Sequence, residues 1–592
     1  MAKLKVLLTT EGTYPFHQGG VSTWCDILVN RMDNIDYTIF SVLMDPFVTQ
    51  KFELPNSTSL IKMPLWGTEE PSEHLSTPFS QTFLSRKRTT TSNINKYFIP
   101  LFEQLVIEII SPVKDPKKLA KIILELHLYF QYYEYKVSFK SEEAWDAYKR
   151  IVLNYVASKD SNLSRPDIYG LIQSLGWLYR FLNIINTPIP DFDVTHSSAA
   201  AFCGLPCIIA KMKNKTPFML TEHGVYLREQ YISLSKREYS SFLNTFLINL
   251  VHSITSLNYA YADQISPVCL YNTRWEKEFG VENERIKVIY NGVDKDVFLH
   301  ATGERPSHPT VVTVARIDPI KDIEMLIRSA AEVKLHIPNV KFMIYGSVSV
   351  PAYYDQCINL RKALELEETV IFVGHIHNIA TAYKSGDIVA LTSISEAFPY
   401  SVVEAMMSGT PVVSTDVGGI KEALGNTGVL VPARDYKKLA EEMIRLLNDP
   451  ELRRSLADEA RERALANFTI DKVIDEHEMS YNYLASKAKK TEKNLLNNEK
   501  KSSVTEVVKP SYTKESLVIQ RTWMERGLAF KYTGYYEEAI GCFKSAIMES
   551  SDTIIVPLLL LELAEVYNHL GKFDLAFNEF EKYNAYQRIL SA

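Results

Sequence analysis

The chain has 592 residues, 46% of them apolar, and a formal net charge of −6. That length calls for more than two domains of ordinary size, and the apolar content is enough for packed cores. The acidic balance excludes nucleic acid as the main partner, because phosphate backbones are met by basic faces.

The opening "MAKLKVLLTTEG" reads as a strand near Lys3–Thr10, since its apolar run is too short for a leader peptide. The stretch "TTEGTYPFHQGGVSTW", Thr9–Trp24, then carries Gly19 and Gly20 into a helix from about Val21. It lacks the G-x-G-x-x-G spacing of a dinucleotide loop. Residues from about 47 to 189 break the strand–helix rhythm. Helical spacing in "KKLAKIILELHLYFQYYEYKV" and "GLIQSLGWLYRFLNII" marks a largely helical insertion. Alternation returns with "FDVTHSSAAAFCGLPCIIAKMKN", "PFMLTEHG" and "ADQISPVCLYNTRWEKEFG", and "IKVIYNGVD" closes a first half. The apolar "FLNTFLINLVHSITSLNYAYA" carries Asn, His, Ser and Thr throughout and reads as a buried helix, not a membrane span.

A second half begins near Pro309. "TVVTVARI", "VKFMIYGS", "TVIFVGHI", "DIVALTS" and "TPVVSTDVGG" are short β-branched runs with helices between them. Strands alternating with helices imply parallel sheets, and two such halves imply an α/β architecture of two doubly wound, Rossmann-like domains facing a cleft. The expected boundaries are 1–305 for the first domain with its insertion, 306–470 for the second, 471–486 for a crossover helix, 487–516 for a Lys-, Asn- and Ser-rich linker, and 517–592 for helical repeats. In those repeats Gly534, Tyr536, Ala539 and Phe543 match Gly571, Phe573, Ala576 and Phe580 at an offset of 37, a tetratricopeptide-like period with three extra residues. Two such repeats bury little alone, so the tail is expected to dock on the body or on another chain. The six cysteines are scattered without a CxxC pair. Cys203 and Cys207 supply at most half a zinc site, so buried thiols in a reducing cytoplasm are expected.

Three motifs carry chemistry. In "TSISEAFPYSVVEAMMSGTPVVSTDVGG", Glu396 follows a strand, Pro399 suits the first turn of a helix and Gly409 its end. Glu404 then lies one to two turns into that helix. A carboxylate beside a helix start suits a sugar hydroxyl next to a phosphate, and a second suits a ribose diol. Two solvated glutamates would be the bland alternative, and the Gly and Pro punctuation weighs against it. In "VARIDPIKD", Arg316 and Lys321 flank a strand-to-helix turn and form a diphosphate clamp. At an effective dielectric of about 20, a charge at about 4 Å is worth roughly 4 kcal/mol, enough to favour diphosphate departure without a metal. No DxD-like pair stands in a metal context, so no metal site is assigned. In "LTEHGVYLRE", Glu222 and His223 sit at a carboxyl strand end, where ligands bind in such sheets. Gly346 and Gly374, also at strand ends, let backbone approach a ligand.

Together these residues resemble the retaining glycosyltransferases of family 4, with the GT-B fold, over roughly residues 1–485. Glu396 and Glu404 match that family's E-x7-E motif, Arg316 and Lys321 its diphosphate pair, and Gly19 and Gly20 its amino-terminal glycine loop. "EGTYPFHQGGVSTW", "TEHGVYLRE" and the insertion are similar to the PelF-like subgroup of exopolysaccharide synthesis, from which the repeat tail departs. The resemblance implies transfer of a hexose from a UDP-sugar, UDP-glucose first, to a glycan, lipid-linked or protein acceptor, with no metal cofactor. It implies that Glu404 binds ribose, that Arg316 and Lys321 hold the diphosphate, and that Glu396 with the backbone of Ala397 and Phe398 holds sugar hydroxyls. His223 would contact the donor sugar, and Gly19, Gly20, Gly346 and Ile376 would complete the nucleotide-sugar site. Attack would come from the front face, with Glu396 a binding group and not a nucleophile. The implied setting is cytoplasmic, free or in a membrane-associated complex, with protein partners or self-association through the tail. Competing readings are a GT-B phosphorylase, which has no use for Glu404 at a ribose, an epimerase, against which the E-x7-E motif argues, and a scaffold with a spent transferase domain.

Overall fold

A computed structural model describes residues 3–66, 79–300, 307–376, 378–499, 514–549 and 555–590. The chain divides into two compact units, Met1–Leu495 and Leu496–Ala592.

The first unit holds two six-stranded sheets in which every pairing is parallel. The first sheet contains β1 (Leu4–Glu11), β2 (Ile35–Leu43), β3 (Ser59–Pro64), β4 (Val194–Ser197), β5 (Phe218–Glu222) and β6 (Gln264–Pro267), in the order β3-β2-β1-β4-β5-β6. The second contains β7 (Thr310–Val314), β8 (Lys341–Tyr345), β9 (Val370–Gly374), β10 (Ile388–Leu391), β11 (Val412–Thr415) and β12 (Val429–Val431), in the order β12-β11-β10-β7-β8-β9. Read from opposite edges, the two orders are the same doubly wound topology. Five consecutive residues of β1, Val6–Thr10, are buried, because helices cover both faces of such a sheet. The chain reverses its winding between β1 and β4 and again between β7 and β10, so the loops after these four strands open onto the ligand crevice.

The structure departs from the sequence reading in two places. The insertion read as beginning at 47 first supplies β3, which pairs with β2 from Thr38↔Ser59 to Leu43↔Pro64. Its described helices lie between Phe79 and Asn186 and carry a dense aromatic core around Phe98, Phe102, Phe130 and Phe139. The crossover helix runs Ile470–Glu499, past 486 and into the segment read as a linker; residues 500–513 of that segment lie outside the described residues. Along this helix Val473, Tyr481, Leu484 and Ala485 join the core cluster formed by Val6, Leu8, Trp24 and Leu28 of the first half. All six cysteines are free and buried. Among the described residues no helix is long and apolar enough to cross a membrane.

The second unit is two helical hairpins, Lys514–Tyr532 with Tyr536–Glu549 and Ile555–His569 with Phe573–Leu590. Ile540 and Phe543 of the first hairpin are 7% and 0% exposed, packed with Leu559 and Leu563 of the next. Phe577 and Phe580, at the matching positions of the second hairpin, are 67% and 45% exposed.

Candidate active site

Loops from both halves enclose a cavity of about 580 Å³. From the second half come Arg316 and Lys321, after β7, and Glu396–Phe398, after β10. Arg316 lies two residues past the end of β7, and Lys321 ends a short turn, Pro319–Lys321. Asp322 then caps the helix Ile323–His336 by accepting from the Met325 N–H. The two loops are laced together. Ile394 N–H donates to the Ile320 carbonyl at 2.9 Å, Thr392 Oγ1 donates to the Lys321 carbonyl at 2.7 Å, and Lys321 Nζ pairs with Glu396 Oε1. Ser393 Oγ donates to the same Glu396 oxygen at 2.6 Å. An ammonium and a carboxylate are thus held side by side on the cavity wall.

Pro399 caps the helix Tyr400–Ser408, and Gly409 ends it with φ +67°. Tyr400 and Ser401 line the cavity. Glu404 stands one turn further along, where its Oε2 accepts from Tyr383 Oη at 2.7 Å. Burial pushes the Glu404 carboxyl above its ordinary range, and the Tyr383 bond offsets part of this.

The first half contributes Gly20 and His223. Gly20 begins the helix Gly20–Arg31, and a Cβ there would stand 3.4 Å from the ring of Tyr400 on the opposite wall. His223 follows β5, its ring set edge-on to Trp24 with centroids 4.6 Å apart. Burial, with a smaller contribution from His477, pushes the His223 imidazole down to about 3. Its Nε2 is buried without a partner. At neutral pH this ring is therefore an uncharged hydrogen-bonding group, unsuited to storing a proton. Behind it Trp24, His196 and His477 pack together, and His196 is bonded to Tyr481 and Thr221 at 2.7 Å each.

Of the residues singled out in the sequence, Gly20, His223, Arg316, Lys321, Glu396, Ala397 and Phe398 meet in this cavity, while Gly19, Gly346, Ile376 and Glu404 do not line it. Gly19 has extended backbone with φ 164°, and nothing lies within 4 Å of a Cβ built there, so no contact requires glycine. Gly346 serves a close approach between strand ends: its φ is +152°, and a Cβ would stand 1.9 Å from the Ala315 carbonyl oxygen.

Residues 294–463 match the family model described as glycosyl transferases group 1, and residues 4–284 match a domain of unknown function, DUF3492. N-acetyl-alpha-D-glucosaminyl L-malate synthase of Bacillus anthracis is 27% identical over 209 residues, 34% of this chain and 54% of that protein. D-inositol 3-phosphate glycosyltransferase of Rhodococcus opacus is 31% identical over 230 residues, 35% and 51%. The chain spans about half the length of these curated relatives. Among solved structures, sucrose-phosphate synthase of Thermosynechococcus elongatus superposes with a TM-score of 0.52 at 17% identity, covering 82% of this chain and 100% of that one. HepE of Anabaena, solved with UDP and glucose, gives 0.50 at 16%, covering 81% and 99%. The body has the GT-B fold.

Within the group 1 segment the sequence reading passed over Gly418. Its φ is +59°, and a Cβ would stand 1.7 Å from the Glu396 carbonyl oxygen. The "DVGG" tetrad thus presses against the loop that carries Glu396, and its paired glycines were the available signal. Outside the segment, Arg228, Tyr271, Arg274 and Trp275 also line the cavity. They sit in the first turns of two short helices and on the turn Leu270–Asn272, where no motif spacing marks them. Also missed was the carboxyl pair beneath His223. Glu222 and Glu276 are both 0% exposed, and Tyr259 Oη donates to Glu222. Burial raises both carboxyls, and Glu276 raises Glu222 further.

Proposed function

We propose that this chain is a retaining glycosyltransferase that moves a hexose from a UDP-sugar, UDP-glucose first, to a saccharide acceptor without a metal. The observation that carries the reading is the single cavity in which Arg316, Lys321 and Glu396 of one half face Gly20 and His223 of the other. Arg316 and Lys321 hold the diphosphate and take up the charge that develops as it leaves. Glu396, fixed by Lys321 and Ser393, accepts from donor-sugar hydroxyls, together with the backbone of Ala397 and Phe398. Glu404 is assigned the ribose hydroxyls, one helical turn below Tyr400 and Ser401. His223, held neutral, bonds a sugar hydroxyl near the anomeric carbon. The acceptor attacks from the face that the diphosphate leaves, and a phosphate oxygen takes its proton. That HepE, of the same fold, was solved with UDP and glucose supports a UDP-sugar donor. A PelF-like place in exopolysaccharide assembly, with the helical tail as a tetratricopeptide-like docking module, completes the proposal.

The test is UDP release by the purified chain, in EDTA, across a panel of nucleotide sugars. Slow release from UDP-glucose and a UDP-dependent rise in unfolding temperature are expected. No release from any donor, with no stabilisation by UDP, would refute the assignment.

A further inference from the structure

The cleft has two walls, and the donor chemistry above uses mainly one. We propose that the opposite wall is an acceptor subsite for an anionic saccharide, one bearing a carboxylate or a phosphate, with its sugar ring against Tyr271 and Trp275 and its anion at Arg274 and Arg228. This rests on the transferase reading.

Four side chains from three elements converge there. Arg228 lies on the helix Tyr226–Ser235, Tyr271 on the turn Leu270–Asn272, and Arg274 and Trp275 on the helix Thr273–Glu278. All four line the cavity. The Arg274 guanidinium lies 3.9 Å over the Tyr271 ring and 5.6 Å from that of Trp275. A guanidinium stacked in this way keeps its in-plane N–H groups for a planar or tetrahedral oxyanion. Tyr271 is 42% exposed, so apolar ring surface is open beside the cation.

The nearby acids do not quench these charges. Glu276, two residues beyond Arg274, turns inward to Glu222. Glu422 is occupied by the N–H groups of Leu270, at 2.6 Å, and Tyr271. Glu278, one turn beyond Arg274, forms no ion pair with it among the described residues. Arg228 influences its neighbour Glu229 without pairing with it, and both of its terminal nitrogens lie 3.2 Å from Ser395 Oγ. Ser395 precedes Glu396, so this wall adjoins the donor-sugar site. The diphosphate has its own cations across the cleft. Arg274 and Arg228 are therefore left for a charge that arrives with the second substrate, while aromatic faces beside them suit the apolar face of a sugar ring.

The full chain, saturated with UDP, is to be titrated with glucose, glucuronate and glucose 6-phosphate while thermal unfolding is followed. At equal concentration an anionic sugar should raise the midpoint and glucose should not. Arg274→Gln should weaken that binding by about 10-fold or more, the range for a lost charge-assisted hydrogen bond, and Arg274→Lys should restore part of it. Which of the two anionic sugars binds more tightly decides between carboxylate and phosphate. In the assay of UDP release from UDP-glucose, the same anionic sugar should accelerate release about 10-fold over glucose, and Arg274→Gln should collapse that ratio. Glucose stabilising as well as its anionic counterparts, or selectivity unchanged in Arg274→Gln, would overturn the proposal. Anion binding that depends on Arg274, with no UDP release from any donor, would leave the subsite standing and sink the transferase reading instead.

Discussion

The two halves of the body share one strand order yet bring opposite chemistry to the cleft. At the switch point of the second half stand Arg316, Lys321 and Glu396, charged groups set on short turns and fixed by backbone bonds. The first half presents a glycine and a neutral imidazole backed by Trp24, His196 and His477, with Arg228 and Arg274 on the wall beyond them. Topology therefore decides where the cleft forms, and the loop sequences decide which chemical groups each half brings to it. In the proposed reaction the charge that meets a leaving diphosphate sits on the second half. The other half sets the neutral His223 beside Gly20 and keeps its own cations, Arg228 and Arg274, for the proposed acceptor.

This contrast can be broken from either side. The largest effect is expected on the charged half. Lys321→Ala removes one of the two cations assigned to the diphosphate and takes the ammonium from Glu396, whose side chain is 12% exposed, so kcat/KM for UDP release should fall about 10²–10³-fold; a change under about threefold would detach Lys321 from the chemistry. On the other half Gly20→Val pushes methyls toward the Tyr400 ring. A drop of about 10-fold in kcat is expected, with UDP affinity nearly unchanged, as for a cleft that closes less fully. Equal losses in kcat and UDP binding would mean that Gly20 belongs to the nucleotide site. The smallest effect concerns pH. His223 and His477 are held at about 3 and about 4 by burial, below the ordinary histidine value of about 6.5. Between these values the unfolded chain binds more protons than the folded one. Stability should therefore be complete above about pH 6.5 and fall as pH drops toward 4, by at most about 1.4 kcal/mol per pH unit for each ring. His477→Gln should flatten the slope of the urea midpoint against pH by one ring's share. An unchanged slope would show that His477 does not titrate on unfolding.

The same contrast explains what the sequence disclosed. Charged residues on short strand-to-helix turns leave a local signature, and Arg316, Lys321 and Glu396 were read from spacing alone. So was the alternation that yields two parallel sheets. Glu222 and Glu276 meet only through tertiary packing, 54 residues apart in the chain, and no local period encodes their partnership. β3 was hidden because "SLIKMP" is short and borders the helical insertion, so a six-residue run was absorbed into its surroundings. Gly19 and Gly20 looked equivalent in the sequence, and only the position of Tyr400 distinguishes them.

The crossover helix has a consequence for synthesis. Its residues Val473, Tyr481, Leu484 and Ala485 complete a core otherwise built from the first half. Ala485 leaves the ribosome nearly 200 residues after Ile289, the last first-half member of that core. At ordinary translation rates this is a wait of about 10–40 s. Throughout it the nascent first half carries an uncovered apolar face, a binding surface for chaperones until the second half has been made.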